Sequence, residues 1–383
     1  MPRFIRNTNL RLARPVLSWF ALLILLVPGT VSADSIKAFK DGDSKVSAKD
    51  MASVYEKNRS KEGYLQRWLL RVKRDDGGWM QISYVLTNLG PGSGRAVVDI
   101  MRYGPSLDAE GGEKVFKRRS KKHLPKEWTA GTQKLDLKLG DSWLKTKGRG
   151  FVGYAKAWDR HAEFTIKGQG ARWQPGDGTI HYPGKGIFTQ QVLTSRARIQ
   201  GREKKRDGEW RPFKGTVSVE HSIATLLPYQ MAKNLLRFEG KAGPYVVHFQ
   251  ELTTPPMWAD EKFGWMVVSK GSKIVAESFQ AVATVKKYRT AKTNAGAKHR
   301  VPSKYRVEAQ TPEGPIVLDV KTRSNIHVED LLAALNKPVR LVLQVFIQPV
   351  NVFDRAKMRL VLPGNEKKYN GKGMALYGTI FGK

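Results

Sequence analysis

Short runs in which apolar and polar residues alternate fill most of this sequence, and they limit the possible fold more than any other feature. In the run MQISYVL, Met80, Ile82 and Tyr84 fall on one face of an extended chain and Gln81 falls on the other. Side chains alternate between the two faces of a β-strand, so the pattern predicts strands with one buried face. About fifteen such runs, separated by Gly, Pro, Asn and Asp, follow Tyr64.

Helical patterns are confined to residues 228–236 and 328–335, and neither alternates with strands as a parallel α/β fold requires. The sequence therefore predicts an all-β, antiparallel fold built of barrels or sandwiches. One small barrel uses about eight strands, so two β domains are expected. The charged stretch 201–214 is a candidate boundary, and the alternative is a long hairpin tip within one domain.

The first 33 residues have the three parts of a secretory signal peptide. Four arginines and no acid occur in the first 15 residues, an apolar stretch covers 16–27, and small residues end at Ala33. We expect cleavage after Ala33, a polar lead segment over 34–62, and an exported protein, periplasmic or secreted. The alternative is an uncleaved anchor, although the apolar stretch is short for a membrane span.

The chain is strongly basic and has no cysteine. It carries 67 Lys and Arg against 34 Asp and Glu, a formal net charge of +33. Disulfides, thiolate metal sites and a cysteine nucleophile are thereby excluded. The positive charge predicts anionic partners. For an exported protein, these are membrane headgroups or acidic polysaccharide rather than nucleic acid.

Three segments concentrate the basic residues: Lys114–Lys126, Arg196–Lys214 and Lys286–Arg306. Because the charges interrupt the alternation, we expect these segments on loops. They are interpreted as a docking surface for an anionic membrane, with a solvated rim as the alternative. Aromatic residues do not interleave them as a single-stranded nucleic-acid groove requires, so nucleic acid is an unlikely partner.

Motifs of common enzyme classes do not occur. The sequence has no dinucleotide-binding GxGxxG after a strand, no phosphate-binding GxxxxGK[ST], no HExxH and no GxSxG. The seven histidines are not spaced to converge on a metal from one strand or helix turn. We therefore assign no catalytic residue, no metal ligand and no cofactor, and Asp159-Arg160-His161 is most simply a turn.

Several segments carry a resemblance to a known family. Residues 216–240 read TVSVEHSIATLLPYQMAKNLLRFEG, residues 245–256 read YVVHFQELTTPP, and the hairpin strand at 81–88 has Gln81 and Asn88. A strand ending in His221, a turn with Pro228, and a strand ending in Thr-Thr-Pro resemble the yeast survival-factor family and its bacterial relatives. Lys233 stands where that family has Trp.

The resemblance implies two tandem lipocalin-like (calycin) barrels, over residues 63–214 and 215–383, with two β-sandwiches as the alternative. It also implies a role in carrying or sensing lipid, since eukaryotic members are associated with sphingolipid transport and survival of oxidative stress. Carotenoid 1,2-hydratases are more distant relatives. Their His and Tyr/Asp pattern is not found here, so their activity is not transferred.

A barrel of about eight strands can enclose one small apolar ligand. The candidate ligand-binding residues are the inward apolar side chains and two polar ones: Trp68, Met80, Ile82, Tyr84, Trp258, Trp265, Arg196 and His221. The alternative for the apolar set is ordinary core packing, and for His221 it is a structural hydrogen bond.

These observations predict an exported protein that binds or carries a lipid or other apolar molecule and docks on anionic surfaces. One alternative is a hydratase or isomerase for an isoprenoid or lipid, with Asp159, His161 and His221 as candidates. The other is a β module that binds acidic polysaccharide and has no cavity.

Overall fold

The computed structural model describes residues 35–89, 93–105, 107, 114–168, 170–294, 296–334, 340, 348–365 and 367–380. The expected signal peptide, 1–33, lies outside the described residues. In the described part, 22 strands form two antiparallel sheets, which confirms the predicted all-β class. None of the helices in these ranges is both long and apolar enough to cross a membrane.

The first sheet holds the N-terminal 13 strands. They are β1 (Lys37–Ala38), β2 (Tyr64–Arg74), β3 (Trp79–Thr87), β4 (Arg95–Pro105), β5 (Lys114–His123), β6 (Trp128–Ala130), β7 (Asp136–Leu139), β8 (Ser142–Lys147), β9 (Gly150–Ala157), β10 (Arg160–Lys167), β11 (Thr179–Tyr182), β12 (Gly186–Lys205) and β13 (Arg211–Thr225). The order is β5-β4-β3-β2-β13-β12-β10-β9-β8-β7-β6, and β11 joins β1 to β12. The sheet curls until β4 and β5 lie against β9.

The second sheet holds nine strands in the order β17-β16-β15-β14-β22-β21-β20-β19-β18. They are β14 (Asn234–Ala242), β15 (Tyr245–Thr253), β16 (Lys262–Lys270), β17 (Lys273–Ser278), β18 (Ala281–Lys292), β19 (Lys298–Ala309), β20 (Ile316–Asp330), β21 (Val350–Val361) and β22 (Tyr369–Thr379). This sheet curls nearly closed, so that β18 at one end lies against β15 and β16. The Ala283 amide of β18 donates to Glu251 Oε2 of β15 at 2.7 Å.

Helical structure in the described ranges is short. It consists of α1 (Tyr55–Asn58), α2 (Pro228–Met231) and 3-10 turns at Lys49–Met51, Pro125–Glu127, Pro256–Trp258 and Leu331–Ala334. The helix expected over 228–236 therefore stops at Met231. From Asn234 onward the alternating side chains of β14 place Leu236 and Phe238 in the second core, which favours a strand.

The expectation that the basic segments are loops is wrong. Lys114–His123 is strand β5, which lies at one end of the strand order, and Arg196–Lys214 and Lys286–Arg306 belong mainly to the hairpins β12–β13 and β18–β19. One face of each of these strands is open to solvent, so charged residues can occupy a strand without being buried. Lysine also suits an edge strand, because it discourages pairing with another chain.

The chain changes sheet between Thr225 and Asn234. Strand β13 pairs with β2 from Gly215↔Arg74 to Thr225↔Tyr64, so residues on both sides of the expected boundary at 214 belong to the first sheet. Residues 201–214 form the end of the β12–β13 hairpin. The division into two folding domains stays a prediction.

Each curled sheet encloses its own packed core. The first core contains Trp68, Met80 and Tyr84, and the second contains Phe238 and Phe249. In both, the buried set follows the period of two predicted by the sequence.

The lead segment before β2 closes the first core. Met51 is 1% exposed and packs in that core, and its carbonyl oxygen accepts a hydrogen bond from Trp68 Nε1 at 2.9 Å. The carbonyl of Ala52 accepts from Gln66 Nε2 at 2.8 Å. The segment is thus tied to β2 by polar contacts as well as by packing.

Met51→Ala should destabilise the protein by about 2 to 5 kcal/mol, because it leaves a cavity in a packed core. The matched control is Met257→Ala, whose side chain is 40% exposed and should matter by about 0.5 kcal/mol or less. Urea unfolding followed by tryptophan fluorescence measures both free energies. Equal effects of the two substitutions would show that the lead segment does not close the core.

Candidate functional site

The two sheets face each other through the sides that point away from their own cores. On β2, Trp68 and Leu70 enter the first core, so Arg71 and Lys73 point toward the second sheet. A cleft of about 320 Å³ lies between these faces. Its lining comes from both sheets: Arg71, Lys73, Trp79, Arg196, Thr216, Val217, Arg237, Glu239, Gly240, Lys241, Val246, Phe353, Gly371, Lys372, Gly373, Met374, Ala375 and Leu376.

Buried charges form the floor of the cleft. Glu220 on β13 is 3% exposed, and its Oε1 accepts from Arg71 Nη1 at 2.8 Å. Arg237 on β14 forms an ion pair with the same carboxylate, so the pairing joins the two sheets. Burial lowers the pKa of Arg71 to about 10. Arg71 therefore still carries its charge at neutral pH, as the pairing with Glu220 requires.

Two further ionisable groups surround this floor. Ser218 Oγ donates to Glu239 Oε2 at 2.7 Å, which orients a carboxylate that lines the cleft. His248 Nε2 lies 2.9 Å from the Ser195 carbonyl oxygen, so Nε2 carries the proton and Nδ1 is a bare acceptor. That Nδ1 lies 3.9 Å from Glu220 Oε1. Burial lowers the pKa of His248, which keeps the ring neutral.

Glu220, Glu239 and His248 bring three possible metal-ligand atoms within 4.8 Å of one another. The counter-charge for Glu220 is already supplied by Arg71 and Arg237, and Ser218 already donates to Glu239. A divalent cation would have to displace two buried guanidinium groups. The geometry therefore favours arginine, rather than a metal ion, as the partner of these carboxylates.

The mouth of the cleft is cationic and one wall is apolar. Of the six Lys and Arg residues in the lining, Arg71 and Arg237 pair with Glu220 at the floor. The other four are Lys73, Arg196, Lys241 and Lys372, and Glu239 is the single acidic residue among those that line the cleft in the described ranges. The pKa of Lys73 is lowered by burial and then by the nearby charges of Arg196 and Lys372. On the wall, the rings of Trp79 and Phe353 lie 5.3 Å apart. This arrangement suits a molecule with an apolar body and an anionic group.

The structure separates the residues that the sequence analysis proposed as one ligand site. Four of them pack in the first core: Trp68, Met80, Ile82 and Tyr84. Trp258 and Trp265 belong to a separate apolar cluster between the sheets, where Trp265 lies 5.1 Å from Trp173. Arg196 lines the cleft. A ligand-binding role for these residues stays a prediction.

His221 belongs to a buried hydrogen-bond network on the core side of β13. Its ring stacks on Trp68 with 5.0 Å between centroids. Gln66 Oε1 accepts from the Val54 amide, so Gln66 Nε2 is the donor to His221 Nε2 at 2.7 Å. His221 Nδ1 therefore carries the proton and donates to Gln191 Oε1 at 2.9 Å. This geometry agrees with the alternative interpretation of His221, in which the ring makes structural hydrogen bonds.

Sequence patterns do not identify the residues of the cleft floor. Arg71, Glu220, Arg237 and His248 each occupy the polar phase of an alternating strand, which for an isolated barrel means the solvent side. A signal was present, since both signs of charge recur in the polar phase of β2, β13 and β14. These outward-facing residues are buried only because one sheet packs on the other.

Known proteins match this chain in structure but not in sequence. No protein-family model matches the sequence, and no curated protein sequence matches it. A putative AttH from Nitrosomonas europaea has a TM-score of 0.57 at 12% identity, over 85% of this chain and 95% of that one. Kievitone hydratase from Nectria haematococca has a TM-score of 0.54 at 12% identity, over 89% of this chain and 98% of that one. CghA with Sch210972 has a TM-score of 0.50 at 14% identity, over 84% and 89% of the two chains.

These likenesses show the fold alone, because the identities are 12–14%. They confirm a lipocalin-like arrangement of two antiparallel sheets. The resemblance to the survival-factor family has no support from these sequence comparisons.

The acid dependence of stability tests the His221 network. Burial lowers the pKa of His221 to about 3, whereas an unfolded histidine titrates near 6.5. Below about pH 6.5 His221 becomes protonated in the unfolded state but stays neutral in the folded state. Stability should fall by roughly 1 kcal/mol per pH unit from this residue as the pH drops toward 3.

Urea unfolding at several pH values measures that slope. His221→Gln should be less stable at pH 7 but should lose less stability on acidification. The control, His181→Gln, removes a side chain that is 44% exposed and should keep the wild-type slope. A wild-type slope in His221→Gln would contradict the buried neutral imidazole.

Proposed function

We propose that this protein binds, in the cleft between its sheets, an apolar molecule that carries an anionic group. One observation carries the proposal: besides Arg71 and Arg237, which pair with Glu220, four basic side chains line the cleft beside a wall that contains Trp79 and Phe353. The four are Lys73, Arg196, Lys241 and Lys372. Ligand sites are mostly apolar with a few charged groups that fix orientation. A fatty acid or an acidic isoprenoid has this chemistry.

The cleft, rather than the interior of either barrel, is the site that we propose for the ligand. Both cores are filled by their own side chains, and a cavity of only about 10 Å³ touches the first core at Met80. The cleft, at about 320 Å³, lies at the small end of the usual size range for ligand pockets. The lipid-carrying role implied by the resemblance to the survival-factor family is thus proposed for the interface.

Export and docking complete the carrier proposal. The N-terminal signal pattern would place the protein at a cell envelope, where anionic lipid is abundant. Strand β5 supplies Lys117, Lys121 and Lys122, and Trp158 beside it is 66% exposed with its Nε1 donating to the Ser120 carbonyl oxygen at 2.8 Å. Exposed tryptophan and lysine are typical of surfaces that meet lipid headgroups.

Binding of cis-parinaric acid, a fluorescent fatty acid, tests the cleft. The double variant Lys73→Gln/Arg196→Gln should weaken binding about tenfold, since a charge-assisted hydrogen bond contributes about 1.5 to 3 kcal/mol. The methyl ester of the probe should bind with nearly equal affinity to both proteins. The control Lys138→Gln/Arg149→Gln changes the same charge on exposed residues outside the cleft.

Equal weakening in both double variants would show a general charge effect and contradict the cleft site. The same probe, loaded into vesicles, measures docking. Transfer to the protein should be faster from phosphatidylglycerol than from phosphatidylcholine vesicles, and it should slow as salt is added.

The second candidate function is hydration or isomerisation of a bound isoprenoid. The observation in its favour is the carboxylate of Glu239, which lines the cleft within 4.8 Å of His248 and Glu220 at the ligand atoms. A protonated carboxyl group held beside a bound double bond can deliver its proton to one carbon, while water adds to the other carbon and releases a proton that restores the acid. Asp159, by contrast, pairs with Arg119 at 2.6 Å at the surface.

Geranic acid in ¹⁸O-labelled water tests this activity. A hydratase should add one labelled water per molecule, which mass spectrometry detects as the heavier hydroxy acid. Glu239→Gln should lower the rate about 100-fold or more if this carboxyl transfers the proton, whereas parinaric acid binding should be kept or strengthened, because a negative charge is removed from the cleft. Unchanged conversion in Glu239→Gln would remove this residue from the reaction.

A further inference from the structure

Six lysines form a continuous row across six neighbouring strands of the second sheet. The strand register pairs four lysines of the row directly with the next: Lys304↔Lys321, Lys321↔Lys357, Lys357↔Lys372 and Lys372↔Lys241. At the outer end Lys287 pairs with Lys304 within a β-bulge of β18. Directly opposed residues of an antiparallel sheet share a face. We call this row the lysine ladder.

The lysine ladder has no counter-charge of its own. Within the ranges that the structure describes, no carboxylate lies within ion-pair distance of its six ammonium groups. The neighbouring row is built differently, because Asp319 stands between two arginines. Arg306 Nε donates to Asp319 Oδ1 at 2.8 Å and Arg359 Nε donates to Asp319 Oδ2 at 3.0 Å. The row of Arg306, Asp319 and Arg359 is thus paired internally, whereas the lysine ladder contains only positive charges.

Like charges directly opposite one another destabilise a sheet. The fold therefore carries an unfavourable electrostatic term along the lysine ladder that packing does not require. All six side chains are exposed, while the adjacent residues Tyr305, Val320 and Met358 enter the second core. A shallow groove of about 900 Å³ follows the row along Lys304, Lys321, Lys357 and Lys372. An external anion would remove the repulsion.

The shape of the row points to one kind of anion. Neighbouring strands lie about 4.8 Å apart, so five steps give a single file of charge about 24 Å long. The second sheet curls almost closed, so a flat bilayer would meet only part of the row, whereas a flexible chain can follow it. No tryptophan, tyrosine or phenylalanine occurs among the residues that line the groove in the described ranges, so the stacking platform of single-stranded nucleic acid is not built there.

We propose that the lysine ladder binds a linear acidic polysaccharide, with successive carboxylate or sulfate groups opposite successive lysines. The inner end of the ladder opens on the cleft, because Lys372 and Lys241 line both the row and the cleft mouth. The bound chain would thus hold the cleft near an acidic matrix. The two proposed sites share Lys241 and Lys372, and the test therefore uses ladder lysines that lie outside the cleft.

Binding of polygalacturonate to the whole protein tests this proposal. The variant Lys304→Gln/Lys321→Gln/Lys357→Gln leaves the cleft lining intact. For a flexible polyanion, each lost contact reduces the salt slope by about 0.7, so log affinity against log salt should flatten by about 2. The affinity at low salt should fall at least about tenfold. Parinaric acid binding should not change.

The matched control is Lys134→Gln/Lys138→Gln/Lys147→Gln, which removes the same charge from exposed positions in strands β7 and β8 and in the turn before β7. The control should keep most of the affinity and most of the slope. If both triple variants lose affinity equally, or if the ladder variant keeps the wild-type affinity, the proposal is overturned. It is also overturned if the wild-type protein does not bind polygalacturonate but binds phosphatidylglycerol vesicles or oligo(dT) through Lys304, Lys321 and Lys357.

A single substitution separates this function from a structural role. Lys321→Glu places a carboxylate between Lys304 and Lys357. It should raise the melting temperature at low salt, since cross-strand repulsion becomes attraction, and it should weaken polygalacturonate binding. A lower melting temperature of Lys321→Glu than of the wild type, together with unchanged polygalacturonate binding, would show that the ladder stabilises the fold and does not bind the polysaccharide.

Discussion

The structure depends on how buried charge is compensated between the two sheets. Glu220 is nearly inaccessible to water, and it is held by Arg71 from its own sheet and Arg237 from the other. Removing such charges from water costs several kcal/mol for each ion, and only close pairing offsets it. The two sheets must therefore meet in one register. Sliding one sheet along the other would separate Glu220 from Arg237 and leave buried charge unpaired.

Apolar clusters on both sides of this charged centre complete the interface. One includes Trp173, Trp258 and Trp265, and the other includes Trp79 and Phe353. Together they exclude water from around the ion pairs, which strengthens each pair because the local dielectric is low. The cleft lies where the second cluster ends and the cationic rim begins. Its mixed character thus follows directly from the way the sheets are held together.

Most strands could be predicted from the sequence, but which of their charged faces meet water and which meet the other sheet could not. Period-two alternation identified β3, with Met80, Ile82 and Tyr84 in one core, because burial on one face leaves a local pattern. The basic runs were misjudged as loops. A strand such as β5 tolerates dense charge when its outer face meets water, so a break in the alternation does not imply a break in the strand.

The sequence by itself determined the all-β class and the excess of positive charge, since these follow from composition and local periodicity. It could not determine which polar-phase residues are buried. Arg71 and Lys321 both occupy the polar phase of an alternating strand, yet one is held in a buried ion pair at the floor of the cleft and the other is exposed in the lysine ladder. Only tertiary structure decides this, because burial of an outward strand face depends on a second sheet, and strand register depends on partners far away in the chain.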